Sequence, residues 1–245
     1  MTAAFSAPEL LALAFAVAVA AGAIRGITGF GGALVMTPPL ALLFGPAVAV
    51  PVALLLESVV AAPMLVHTRR EMRWRVIAPI LATACATVPL GAYLLLSADP
   101  DTLRRAIAAI VIAFSLLLLR GWSYRGRQRI ATSIGLGALS GAMAGATSIG
   151  GPPVILYLLS GPDAVATTRA NLTLFVAVTS LAGIVALWSN GVLGARAAWT
   201  GVALAPGYYA GLVAGTRAFA RFNDRRFRQF TLLLLIAVSS GILLA

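Results

Sequence analysis

Two stretches of the chain carry residues suited to holding an anion inside an apolar surround. The first is Gly22-Ala23-Ile24-Arg25-Gly26-Ile27-Thr28-Gly29-Phe30-Gly31-Gly32. The second is Gly141-Ala142-Met143-Ala144-Gly145-Ala146-Thr147-Ser148-Ile149-Gly150-Gly151. Six of the eleven positions are identical at a constant offset, which marks a duplication rather than a chance cluster of glycines. Adjacent glycines end one helix and let another begin, and the new helix start exposes unpaired backbone N–H groups. That start carries roughly half a positive charge. In an apolar medium such groups need a partner, and an anion is a natural one. The pairs Gly31-Gly32 and Gly150-Gly151 are placed at these helix starts. Thr28 and Thr147 occupy matching positions as hydroxyl donors, and Ser148 stands beside Gly150. Pro152 suits a first helical turn, where its missing N–H would be unpaired anyway. The spaced glycines Gly22, Gly26, Gly137, Gly141 and Gly145 read instead as close helix packing.

Two charges are not shared by the copies. Arg25 interrupts the first stretch, where the second has Ala144. Glu57 lies in the middle of an apolar run. A charge at the centre of a bilayer costs about 2.5–3.5 kcal/mol on insertion scales. Glu57 must therefore be protonated, paired or facing an aqueous cavity, and it is the candidate for coupling transport to protons or for pairing with Arg25. Arg25 either adds positive charge near the site, snorkels, or meets a carboxylate. Asn171 and Thr173 are polar in a third apolar run; they either face the same cavity or bridge helices. Arg169, just before them, reads equally as a cytoplasmic topology anchor.

Composition names the solvent these groups sit in. Of the 245 residues 60% are hydrophobic and 10% charged, whereas soluble domains carry about 25% charged residues. The chain cannot cover a globule with polar groups, so it is a polytopic helical membrane protein. Its apolar runs are continuous rather than alternating, which argues against a barrel. The net charge of +11 does not indicate nucleic acid, because the arginines sit in short loops between apolar runs. The single cysteine, Cys85, excludes an internal disulfide. The start of the chain lacks the positive region of a cleaved signal peptide.

Hydropathy divides the chain into an N-terminal repeat over 1–120, a cytoplasmic linker over 121–130 and a C-terminal repeat over 131–245. Each repeat is a broken, re-entrant helical hairpin followed by three transmembrane helices. The first has the hairpin at 8–44 and spans at 48–66, 76–96 and 103–119. The second has the hairpin at 131–160 and spans at 170–188, 197–216 and 230–245. The arms of each hairpin, 8–24 in the first case, are shorter than or barely equal to the hydrocarbon core. Basic residues cluster in loop 67–75, in the linker and in loop 217–228, and the positive-inside rule wants all three on the cytoplasmic side. That requires an odd number of full crossings per repeat, so the repeats are inverted and both termini lie outside. A broken apolar segment at matching places in both halves is the signature of a transport site near the midplane.

The residues Gly29-Phe30-Gly31-Gly32-Ala33-Leu34 with Pro38, then Ser148-Ile149-Gly150-Gly151-Pro152-Pro153, and Arg169-Ala170-Asn171 beyond them, resemble the sulfite exporter TauE/SafE family. The resemblance covers nearly the whole chain. It implies a multi-pass carrier of the bacterial inner (plasma) membrane for small anions such as sulfite, organosulfonates or related sulfur oxyanions.

The expected function is thus a secondary transporter, an exporter on the family resemblance, working by alternating access around the two hairpin tips. Its substrate-binding set is Arg25, Thr28, Gly31, Gly32, Thr147, Ser148, Gly150, Gly151 and Asn171, with Glu57 for coupling. Its partners are a small anion and the lipid bilayer, with no nucleic acid, and a homodimer is left open. An anion channel is the alternative, and a membrane-embedded enzyme a weaker one. One histidine, one cysteine and one deep glutamate supply no catalytic constellation, so no catalytic residue, metal or cofactor is assigned. No phosphate-binding loop for ATP is present.

Overall fold

The computed structural model describes residues 7–68, 71–121, 129–159, 161, 163–191 and 193–219, with isolated positions at 236, 239 and 240. Within them lie nine helices: α1 (Ala7–Thr28), α2 (Gly32–Phe44), α3 (Pro46–Thr68), α4 (Trp74–Ser97), α5 (Pro100–Leu119), α6 (Ile130–Thr147), α7 (Gly151–Leu158), α8 (Val165–Ser189) and α9 (Ala195–Phe219). Five of them, α1, α4, α5, α6 and α8, are long and apolar enough to cross a bilayer. Their outward faces carry large apolar side chains such as Leu90, Tyr93, Leu139, Leu181 and Val185. A water-soluble fold would bury these, so they face lipid. The structure is that of a multi-pass membrane protein. Most of the expected span 230–245, of the linker and of loop 217–228 falls outside the described residues.

Helix starts follow local chemistry. Pro46 and Pro100 open α3 and α5, where a missing N–H costs nothing. Asp99 caps α5, its side chain accepting from the N–H groups of Asp101 and Thr102. These backbone N–H groups hold the Asp99 carboxyl below its usual range, with Arg104 adding a weaker pull.

The two longest helix contacts cross between the halves. α1 packs along α9, and α6 packs along α4, while α3 packs against α8. The spaced glycines make both crossings. A Cβ on Gly26 would stand 2.3 Å from the Leu212 carbonyl oxygen, and one on Gly22 2.0 Å from that of Tyr208. A Cβ on Gly145 would stand 2.1 Å from the Val88 oxygen, and one on Gly141 2.2 Å from that of Ala84. On the opposite faces, Gly211 and Gly215 of α9 meet Val19 and Ala23, and Gly91 of α4 meets Ala142. Backbones approach this closely because a glycine at each contact leaves no side chain between one helix and the carbonyl of the other. The reading of these glycines as packing positions holds.

The two breaks were expected between short arms. The first arm is longer than expected: α1 has 22 residues, about 33 Å at 1.5 Å per residue. It therefore matches the hydrocarbon thickness by itself and continues straight through Arg25. The reason lies in α3, where a carboxylate meets that arginine, so the helix has no need to stop short of the charge. The second arms are short, 13 residues in α2 and 8 in α7.

Candidate functional site: a buried ion pair at the first helix break

The first break ends α1 with Gly29 in the left-handed region, φ 79°, its N–H bonded back to the Arg25 carbonyl at 2.9 Å. Gly31 is left-handed too, φ 89°, and α2 begins at the next residue. In the second break Ser148 stands in the position of Gly29 and takes the same left-handed turn, φ 60°. A residue with a Cβ pays about 1–2 kcal/mol there. Ser148 Oγ lies 2.7 Å from Thr37 Oγ1 of α2, so the second break touches the second arm of the first.

α2 and α3 form an antiparallel pair about Gly45. Ala33 and Glu57 each lie twelve residues from that glycine. Equal arms set them side by side. The Ala33 N–H donates to Glu57 Oε1 at 2.9 Å, so a carboxylate sits on the amino-terminal end of α2. Tyr208 of α9 donates its hydroxyl to the same oxygen at 2.9 Å. Arg25 Nε stands 3.1 Å from Glu57 Oε2. Its N–H does not point along that line, so the contact is an ion pair without an aligned hydrogen bond. Arg25 Nη1 donates to the Gly29 carbonyl at 2.6 Å, which fixes the guanidinium across the break. The Arg25 and Tyr208 side chains are fully buried, and Glu57 is 2% exposed. Of the three states open to Glu57, the structure has the pair.

A second arginine reaches the same break from the other half. Arg169 of α8 donates to the Gly26 carbonyl at 3.4 Å. Its side chain lies against Gly29, where any Cβ would come 2.7 Å from Arg169 Nε. Arg25 and Arg169 thus bring two guanidinium groups, one from each half, to the first break.

Gly32 is tied to this cluster by space. A Cβ there would meet the Tyr208 hydroxyl at 2.1 Å and Glu57 Oε1 at 2.5 Å. The threonines sit differently from donors turned toward a ligand. Thr28 Oγ1 donates to the Ile24 carbonyl at 2.8 Å and lies 2.5 Å from that of Phe30. Thr147 Oγ1 donates to the Met143 carbonyl at 2.7 Å. Each also accepts from a backbone N–H two residues on, Phe30 at 3.3 Å and Ile149 at 3.2 Å. The two breaks thus share one local hydrogen-bonded turn.

The second break is poorer in donors. Pro152 stands where Ala33 does in the first copy, so the N–H that holds Glu57 has no counterpart. Gly151 has open space around its Cβ direction, and Gly150 packs against Ser140 and Ala144. Asn171 is fully buried, its Oδ1 accepting from the Arg73 N–H at 3.0 Å and its Nδ2 lacking a hydrogen-bond partner. Thr173 is also buried with an unpartnered hydroxyl. Arg73 pairs with Asp163 as well, which ties loop 71–73 to the start of α8.

Of the residues singled out by sequence, the structure gathers Arg25, Gly31, Gly32 and Glu57 at the first break. Ser148 joins them through Thr37, and Asn171 lies on the helix that carries Arg169. Tyr208 was not foreseen, because its partner is 151 positions away in the sequence. Arg169, for which a topology anchor was one of the readings, bonds the backbone of the first break.

A bundle of long apolar helices that buries an ion pair at a helix break defines a multi-pass membrane protein with a polar interior. The chain matches the sulfite exporter TauE/SafE family over residues 14–242 and belongs to it. No curated protein and no solved structure matches the chain.

Proposed function

We propose that this protein is a secondary carrier that moves a small anion, such as sulfite, an organosulfonate or a related sulfur oxyanion, outward across the bacterial inner membrane. The observation that carries the reading is the first break itself. There a helix start, Arg25 and a tyrosine hydroxyl converge on one carboxylate, and Arg169 bonds the backbone of the same break. Glu57 is the central residue of α3. If α3 crosses the bilayer, the pair lies near the midplane, where carriers of this type bind substrate.

The alternating-access reading draws on the exchange of helices between halves. α1 pairs with α9 as α6 pairs with α4, which is what an inverted repeat about an axis between α3 and α8 would give. Side assignment has support at both ends. Arg73 and Asp163 bring loop 71–73 and the start of α8 to one end, the side expected to be cytoplasmic. Arg104 at the start of α5 donates to the Ala41 carbonyl near the end of α2, the side expected to be external.

The test is uptake into proteoliposomes of sulfite, thiosulfate, an alkylsulfonate and a small carboxylate. Saturable movement of one or more of these anions is expected. Movement of a cation or a neutral solute alone would overturn the reading.

A further inference from the structure

We propose that the Glu57 carboxylate is a built-in occupant of the carrier's anion site, and that a substrate oxyanion takes its place when Glu57 is neutralised. The proposal rests on the anion-carrier reading and names the place and the condition of binding.

Three elements each present a donor to one carboxylate. The Ala33 N–H of α2 and the Tyr208 hydroxyl of α9 share Oε1, both at 2.9 Å, and Arg25 of α1 faces Oε2 at 3.1 Å. This is an oxyanion-shaped cage filled by a side chain of the same protein. Its fit is tight on the Gly32 side, where a methyl group would stand 2.1 Å from the Tyr208 oxygen.

Glu57 does not satisfy the cage. The buried Arg25 Nε and Nη2, and Glu57 Oε2 opposite them, have no hydrogen-bond partner. Nε and Nη2 form the side-on edge of the guanidinium, the edge that grips two oxygens of a carboxylate or sulfonate in parallel. Nη1 is spent on the Gly29 carbonyl, which leaves that edge for another acceptor. A three-oxygen anion would place two oxygens on this edge and the third on the Ala33 N–H and the Tyr208 hydroxyl. Every donor would then be used.

Charge sets the condition. With Glu57 ionised, a second anion beside it would leave the Arg25–Glu57–anion group with a net negative charge in a low-dielectric site, which is expensive. With Glu57 protonated, the anion and Arg25 cancel. One proton from solvent therefore accompanies each singly charged anion into the site. The groups facing Glu57 are Arg25 from α1, Tyr208 from α9 and the backbone of α2; Arg169 of α8 bonds the nearby Gly26 carbonyl. The charged residues of α4 and α5 lie at helix ends (Arg75, Asp101, Arg104, Arg105), and α6 has none. The cage is single, since the second copy has Ala144 and Pro152 in place of Arg25 and Ala33.

The experiment is calorimetric titration of the detergent-purified full chain with methanesulfonate, which stays singly charged from pH 5 to pH 8. Wild-type affinity is expected to rise as pH falls. Glu57→Gln should bind at least tenfold tighter than wild type at pH 7.5, with no pH dependence. Adding Arg25→Met to that variant should weaken binding at least tenfold. Tyr208→Phe keeps its ring and gives an independent readout: at pH 5 it should lose about tenfold. Equal affinity and equal pH slope in wild type and Glu57→Gln, or an unaltered Tyr208→Phe, would overturn the proposal while leaving an anion carrier with its site elsewhere. Absence of binding of methanesulfonate, sulfite and thiosulfate to wild type and Glu57→Gln at every pH would overturn both the proposal and the carrier reading.

Discussion

Replacing Arg25 by Met removes a fully buried guanidinium and leaves Glu57 with two neutral donors, the Ala33 N–H and the Tyr208 hydroxyl. Removing one partner of a buried pair costs about 3–5 kcal/mol, because the survivor stays charged in a low-dielectric site. Insertion scales give a similar figure, about 2.5–3.5 kcal/mol for a lone charge at mid-bilayer. The two remaining bonds offset part of this, so Arg25→Met should lose about 3 kcal/mol. Glu57→Gln strands Arg25 on the Gly29 carbonyl alone and should lose about as much. The double variant contains no charge to strand. It should lose only about 1–2 kcal/mol, from unmade hydrogen bonds, against about 6 kcal/mol if the two losses simply added. The assay is equilibrium unfolding in mixed micelles for the four proteins of this cycle. Additivity within about 0.5 kcal/mol, the behaviour of independent sites, would refute the reasoning that Arg25 and Glu57 hold one another inside the membrane.

Other substitutions test the packing, the turn and the cap. Gly26→Val should abolish folding, read as loss of a monodisperse peak in size-exclusion chromatography, because its Cβ would meet the Leu212 oxygen at 2.3 Å; Gly135→Ala on α6, with nothing within 4 Å, should gain about 0.5–1 kcal/mol of stability in unfolding. Ser148→Gly relieves the left-handed φ of 60° but gives up the Thr37 contact, so thermal unfolding should change little, whereas Ser148→Val should destabilise by about 2 kcal/mol or more. Asp99 is held ionised by the N–H groups at the start of α5, so its contribution is present above its unfolded pKa and is lost as pH falls through the lower folded value. Asp99→Asn should keep the cap and flatten that acid-side loss in a thermal-shift series.

The membrane class, the helix order and both breaks were legible in the sequence because hydropathy and glycine report local physics. The apolar runs at 48–66, 76–96 and 103–119 lie within the helices Pro46–Thr68, Trp74–Ser97 and Pro100–Leu119. The starts differ by two or three residues, where proline, tryptophan and a capping aspartate extend each helix beyond its apolar stretch. The length of α1 was misjudged because Arg25 looked like a boundary, and only the tertiary partner Glu57 makes it an interior residue. That pairing had been one of the readings kept open. Its register was visible in principle, since Gly45 lies midway between Ala33 and Glu57. Tyr208 left no local sign, because it acts across the contact between halves; Arg169 was visible as a residue, and its contact with the first break was not. Thr28 and Thr147 were chosen by symmetry, and symmetry did place them alike, each donating within its own helix end. The difference between the breaks lies in backbone donors, where Pro152 lacks what Ala33 supplies.

A carrier with its anion site at the first break makes one demand that a channel or a structural subunit does not. Labelled sulfite outside proteoliposomes should enter against its own gradient when the lumen is loaded with unlabelled sulfite, because one site exchanges its occupant from side to side. Counterflow should saturate with external sulfite and should be lost in Arg25→Met protein that has incorporated and folded. Linear flux without counterflow, or counterflow that is unaltered in Arg25→Met, would contradict the account.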